Sequence, residues 1–90
     1  MEFTIDLSAV YSADDFHDIL EETLPLSEYY GRNLDSLYDC LSEFPSDTRL
    51  MIKGISVPES VMPKYIRNFR KLCTRLNEER GKNWITEMEK

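Results

Sequence analysis

The residues in this chain best equipped for chemistry sit in one run, Glu28-Tyr29-Tyr30-Gly31-Arg32-Asn33-Leu34-Asp35-Ser36-Leu37-Tyr38-Asp39-Cys40-Leu41. Asp35 and Asp39 are four residues apart, so on a helix they stand on one face. Tyr38 and Ser42 flank them, and Tyr29 and Tyr30 arrive from the preceding loop. Like charges at this spacing destabilise a helix by roughly 0.2–0.5 kcal/mol. The helix dipole favours Asp35 in the first turn but fades before Asp39. No Lys or Arg lies between positions 40 and 48 to neutralise the pair. An acid–base couple would need one carboxyl buried to separate the two pKa values, and nothing in the sequence buries either. A calcium site would need an oxygen-rich loop, which is missing. What remains is recognition: two carboxylates that accept charge-assisted hydrogen bonds from a cationic partner, rimmed by aromatic anchors. The ordinary alternative is a solvated helix face.

The elements that would position these residues follow from local chemistry. Gly31 is expected to take the positive φ of a tight turn, and Asn33 to cap the helix behind it. Leu34, Leu37 and Leu41, with Phe44, form an apolar stripe opposite the carboxylates. This helix should run from Leu34 to about Phe44 and stop at Pro45-Ser46-Asp47. Upstream, Phe3-Thr4-Ile5-Asp6-Leu7 alternates as a strand does. Ser12-Ala13-Asp14-Asp15 opens a helix that buries Phe16, Ile19, Leu20 and Leu24, faces Asp14, Asp18, Glu21 and Glu22 outward, and ends at Pro25. Downstream, Arg49–Lys53 reads as a strand, either central in its sheet or covered on both sides. Gly54 breaks it. Ser56-Val57-Pro58-Glu59 is another S-x-x-E start, good for one or two turns. Pro63 then opens a longer helix to about Arg80 that buries Ile66, Phe69, Leu72, Cys73 and Leu76, with Gly81 as C-cap. Trp84–Met88 is a third, short strand. Strands alternating with helices predict an α/β fold, a small three-stranded parallel sheet packed with helices and joined by right-handed crossovers.

Composition narrows the function classes. Ninety residues, 41% hydrophobic and 31% charged, predict a single globular domain over residues 1–90. No stretch approaches the ~18 consecutive apolar residues of a membrane span, so no membrane association is expected. Met1-Glu2-Phe3-Thr4 lacks the pattern of a signal peptide, which predicts a cytoplasmic protein with Cys40 and Cys73 reduced in its core. The net charge of −6 conceals a polarity. Residues 1–47 hold twelve acids against one base, and residues 48–90 hold five acids against ten bases, giving −11 and +5. An acidic first half argues for a basic partner and against direct nucleic-acid binding there. Mutual attraction of the halves is the competing reading. His17 is the one histidine, expected in a structural or solvated role. There is no C-x-x-C, H-E-x-x-H, G-x-S-x-G or Gly-rich loop, so neither an enzyme nor a metal or cofactor is expected. Lys64, Arg67, Arg70, Lys71 and Arg75 on the last helix read as a solvated counterweight to the acidic half.

The run LSEYYGRNLDSLYDCL, with Asp15-Phe16-His17 at its distance upstream, resembles the signature of the barstar family of bacterial intracellular ribonuclease inhibitors. The likeness is specific over residues 15–44 and a matter of pattern beyond. It implies three parallel strands with helices packed over them and the acid-bearing helix at the surface. It also implies that Tyr29, Asn33, Asp35, Tyr38 and Asp39 lie in a ribonuclease interface, with Gly31 and Leu34 adding backbone and rim contacts. Two positions depart from the family's best-known member: Tyr38 and Phe44 stand where it carries tryptophans. The acid that the family carries late in its final helix falls on Arg75 or Leu76, which centres the implied interface on the loop and second helix. The resulting expectation is a monomeric inhibitor that blocks a basic ribonuclease or RNase toxin in a 1:1 complex through Tyr29, Tyr30, Gly31, Asn33, Leu34, Asp35, Tyr38, Asp39 and Ser42. A nucleic-acid-associated regulator using the basic last helix, and an acidic adaptor for a non-nuclease partner, are the alternatives.

Overall fold

A computed structural model describes residues 1–88; the last two residues of the expected 1–90 domain lie outside the described residues. The chain runs β1 (Glu2–Asp6), α1 (Ala13–Thr23), α2 (Leu34–Ser42), β2 (Arg49–Lys53), α3 (Ser56–Val61), α4 (Pro63–Arg80) and β3 (Ile85–Met88). The strands form one parallel sheet in the order β1-β2-β3. Phe3 pairs with Leu50 and Ile5 with Ile52, while Leu50 pairs across with Ile85. This register aligns the inward row of each strand, so Ile5, Leu50, Ile52 and Ile85 are buried together. Central β2 is apolar because of its place in the sheet, and it is covered on one face only. Arg49 on its other face is exposed, and Met51 and Lys53 are half-buried.

The helical layer packs on the inward row. Phe16 of α1 meets Phe69 of α4 edge-on, with ring centroids 5.0 Å apart. Ser12 caps α1 by accepting from the Asp15 amide, and Gly81 ends α4 at φ 67°. The S-x-x-E start of α3 works differently from expectation. Ile55, not Ser56, occupies the N-cap position and makes no side-chain cap bond. Gly54, at φ 72°, is where the chain leaves β2, and a Cβ there would lie 2.7 Å from the Ser8 amide nitrogen. Two side chains then tie α4 to its neighbours. Asn77 pairs with both backbone groups of Ile85. Arg80 donates to the carbonyls of Leu41, Phe44 and Pro45 at the end of α2, with its guanidinium 4.0 Å from the Trp84 ring.

Candidate functional site

The loop ahead of α2 is built from its own side chains. Ser27 Oγ accepts from the Tyr29 amide, and the Tyr30 amide donates to the Ser27 carbonyl. Asn33 Oδ1 accepts from the Ser36 amide at 2.8 Å, the expected cap, while its Nδ2 donates back to the Gly31 carbonyl. Ser36 Oγ closes the turn by accepting from the Gly31 amide at 2.7 Å. The positive φ falls on Arg32, at 54°, and not on Gly31 as expected. Gly31 is instead closely packed, since a Cβ there would meet Asn33 Nδ2 at 3.2 Å and Ser36 at 3.4 Å, so that Asn33 would have to give way by a few tenths of an ångström. Arg32 takes this left-handed geometry with its guanidinium held by α1. It pairs with Asp18 at 2.9 Å, with Glu21, and with the Asp14 carbonyl. Those acids raise the Arg32 pKa further, the Asp18 hydrogen bond foremost.

The two tyrosines part company. Tyr29 is 85% exposed. Tyr30, expected at the rim, is buried, and its hydroxyl bonds to His17 Nδ1. His17 is itself buried, and its Nε2 bonds to the Tyr65 hydroxyl of α4 at 2.5 Å. The single histidine therefore has a structural role, linking the loop to α1 and α4. Burial is the main cause that depresses its pKa, with Arg32 adding to it, and burial also pushes the phenols of Tyr30 and Tyr65 up.

On α2, Leu37 and Leu41 are buried, Leu34 is half-buried, and Asp35, Asp39 and Ser42 are exposed. Ser42 Oγ donates to the Asp39 carbonyl. Among the described residues neither Asp35 nor Asp39 takes part in an ion pair. A groove of about 690 Å³ separates α2 from α4, and Asn33, Leu34, Asp35, Tyr38 and Asp39 line its near side. Tyr38 is fixed there: its hydroxyl donates to Glu79, and Arg75 lies 4.8 Å from its ring centroid. The shared proton lowers the Glu79 pKa and raises that of Tyr38. Glu79 went unnoticed in the sequence. It is one turn beyond Arg75, where the family pattern sought an acid, and only the packing of α2 on α4 brings it to Tyr38. The structure thus gathers Asn33, Leu34, Asp35, Tyr38 and Asp39 on one surface with Tyr29 and Gly31 on the loop beside it, and turns Tyr30 inward.

The arrangement offers exposed carboxylates on a rigidly capped helix next to a free aromatic ring, a surface suited to cationic recognition. Comparison with known proteins agrees with its outline. Residues 1–88 match the family model described as "Barstar (barnase inhibitor)". A Bacillus subtilis (strain 168) protein named "Putative ribonuclease inhibitor YrdF" is 31% identical over 64 residues, covering 70% of each chain. With a family match along nearly the whole chain and an α/β fold of the expected kind, this chain belongs to the barstar family.

Proposed function

We propose that this chain inhibits a ribonuclease by placing the Asp35–Asp39 face of α2 in the enzyme's cationic active site. The observation that carries the reading is that both carboxylates are exposed and free of internal ion pairs among the described residues, on a helix fixed at both ends. An active site that binds RNA phosphates presents Arg, Lys and His. Asp39 occupies the phosphate position and accepts bidentate hydrogen bonds from an arginine, while Asp35 reaches a second cationic group. Tyr29 covers the rim and excludes water, and Tyr38 supplies the aromatic surface between the carboxylates and α4. Leu34, Gly31 and Asn33 contribute shape and backbone contacts, and Ser42 borders the site. Tyr30 acts from beneath by holding the loop. The partner is a basic ribonuclease or RNase toxin, met in the cytoplasm as a 1:1 complex with a monomeric inhibitor that serves as its immunity protein.

Titration calorimetry against the target ribonuclease tests the reading. Asp39→Ala and Asp35→Ala should each weaken binding by more than about 2 kcal/mol, roughly thirty-fold, with thermal stability unchanged. Unchanged affinity in both variants would dismiss the acidic face as the contact surface. The basic last helix gives weaker support to a nucleic-acid role, because Arg70 is engaged with Glu59 and Glu87.

A further inference from the structure

The groove beside the acidic face has a second wall. On α4, Lys71 and Arg75 line it opposite Asp35 and Asp39, with Tyr65 and Asn68 alongside. Lys71 and Arg75 are exposed, as is Arg67 one turn before Lys71 on the same helical row. Arg75 is paired with Glu79 of its own helix; among the described residues no ion pair crosses the groove, and none includes Lys71 or Arg67. The walls therefore carry opposite charge without neutralising each other, over a groove whose volume, about 690 Å³, falls among ligand-accepting clefts. Tyr65, in the groove's lining, is held by the bond between its hydroxyl and His17 Nε2.

A uniformly basic partner would bring like charge against Lys71 and Arg67 as it approached Asp35 and Asp39. Like-charge contacts of that kind reject partners. From this complementarity we infer that the target ribonuclease is dipolar. It sets its cationic cleft on α2 and inserts an adjoining segment bearing an Asp or Glu into the groove, where Lys71 pairs with that carboxylate. The inference rests on the inhibitor reading and specifies the partner's chemistry. An RNA strand in the same groove would run its phosphates along Asp35 and Asp39, so the charge pattern favours protein.

The test takes a panel of purified secreted bacterial ribonucleases, barnase among them, and selects the one that the wild-type chain inhibits most tightly. Inhibition constants are measured for the wild type, Lys71→Gln, Lys71→Glu and Asp39→Ala, with circular dichroism checking the fold of each. Lys71→Glu should weaken inhibition at least ten-fold and Lys71→Gln by less. Replacing the facing carboxylate of the enzyme with Lys should restore inhibition by Lys71→Glu. If Lys71→Glu inhibits as well as wild type while Asp39→Ala does not, the dipolar groove is wrong and the inhibitor reading stands. If Asp39→Ala inhibits as well as wild type, Asp39 is not a contact and the inference, which places the enzyme's cationic cleft there, falls; if no enzyme of the panel is inhibited, the inhibitor reading falls and takes the inference with it. A gel shift of a labelled RNA oligonucleotide that Lys71→Glu abolishes would overturn the inference in favour of nucleic acid.

Discussion

An imidazole whose two ring nitrogens each meet a phenol is satisfied as the neutral form, since one N–H donates and the other nitrogen accepts. His17 is in that position between Tyr30 and Tyr65. Burial lowers its pKa from the ordinary value, and Arg32 adds to that effect, while Glu21, Asp14 and Asp18 oppose it. In the pH range between the lowered folded value and the unfolded value of about 6.5, the unfolded chain binds more protons than the folded one. The stability that His17 contributes is therefore complete above about pH 6.5 and is lost as pH falls through its folded pKa. Urea denaturation at a series of pH values from 7.5 to 5 should show wild-type stability falling more steeply below pH 6.5 than that of His17→Gln, which has no imidazole to titrate. Equal slopes would mean that His17 binds its proton equally in the folded and unfolded chains, with no burial effect on its titration. At this scale the sequence was legible where chemistry is local, as in the Asn33 cap. It misled where a long-range contact decides. Local turn rules assigned the positive φ to Gly31, but it falls on Arg32, whose ion pairs with α1 can offset the roughly 1–2 kcal/mol that an L-residue spends there. Tyr30 likewise reads as a surface aromatic until α1 supplies His17.

A nine-residue helix such as α2 has little stability of its own, because isolated helices below ~12–15 residues are marginal in water. Its N-terminus is held by Asn33 and its apolar stripe by Leu37 and Leu41, all readable from spacing alone. Its C-terminus has no basic residue in the last turn. Arg80 of α4 takes that place, donating to Leu41 and Phe44 carbonyls and, beyond them, to Pro45. A cation there complements the negative end of the helix dipole. Hydrogen bonds from a charged donor are worth about 1.5–3 kcal/mol, so Arg80→Ala should lower unfolding stability by about that amount in denaturant titration. Arg80→Lys should recover only part of it, since one ammonium lacks the planar fork that spans several carbonyls and stacks on Trp84. A loss below about 0.5 kcal/mol in Arg80→Ala would show that α2 is held by its apolar face alone. Nothing in local sequence foretold this brace, because Arg80 had the appearance of an ordinary basic residue in the last turn of its own helix.

Across the whole molecule, the order of strands and helices was enough to indicate a parallel sheet, because alternation leaves few other ways to bury each element's apolar side. The same alternation did not reveal how α2 and α4 face each other, so the groove, Glu79 and the α4 wall became visible only in three dimensions. The charge polarity was legible, but its use was not: the halves of the chain could have neutralised one another. The pairing pattern decides against that. Arg32 binds Asp14, Asp18 and Glu21 within the acidic half, and Arg70 and Arg75 bind Glu59, Glu87 and Glu79 within the basic half. Among the described residues, Lys53–Asp6 at 4.0 Å is the one ion pair that joins the two halves. The acidic half therefore keeps most of its field for an approaching molecule, and such fields raise association rates by about 10- to 10³-fold at low salt. For the proposed complex, stopped-flow measurements should show the association rate constant dropping at least ten-fold as the Debye length shrinks from about 30 Å at 0.01 M salt to about 3 Å at 1 M. The dissociation rate should change far less, because contacts formed by Asp35 and Asp39 inside a water-excluded cleft are screened little. An association rate indifferent to salt would mean that the exposed acids of α1 and α2 do not guide the encounter, leaving the carboxylate pair to act only after contact.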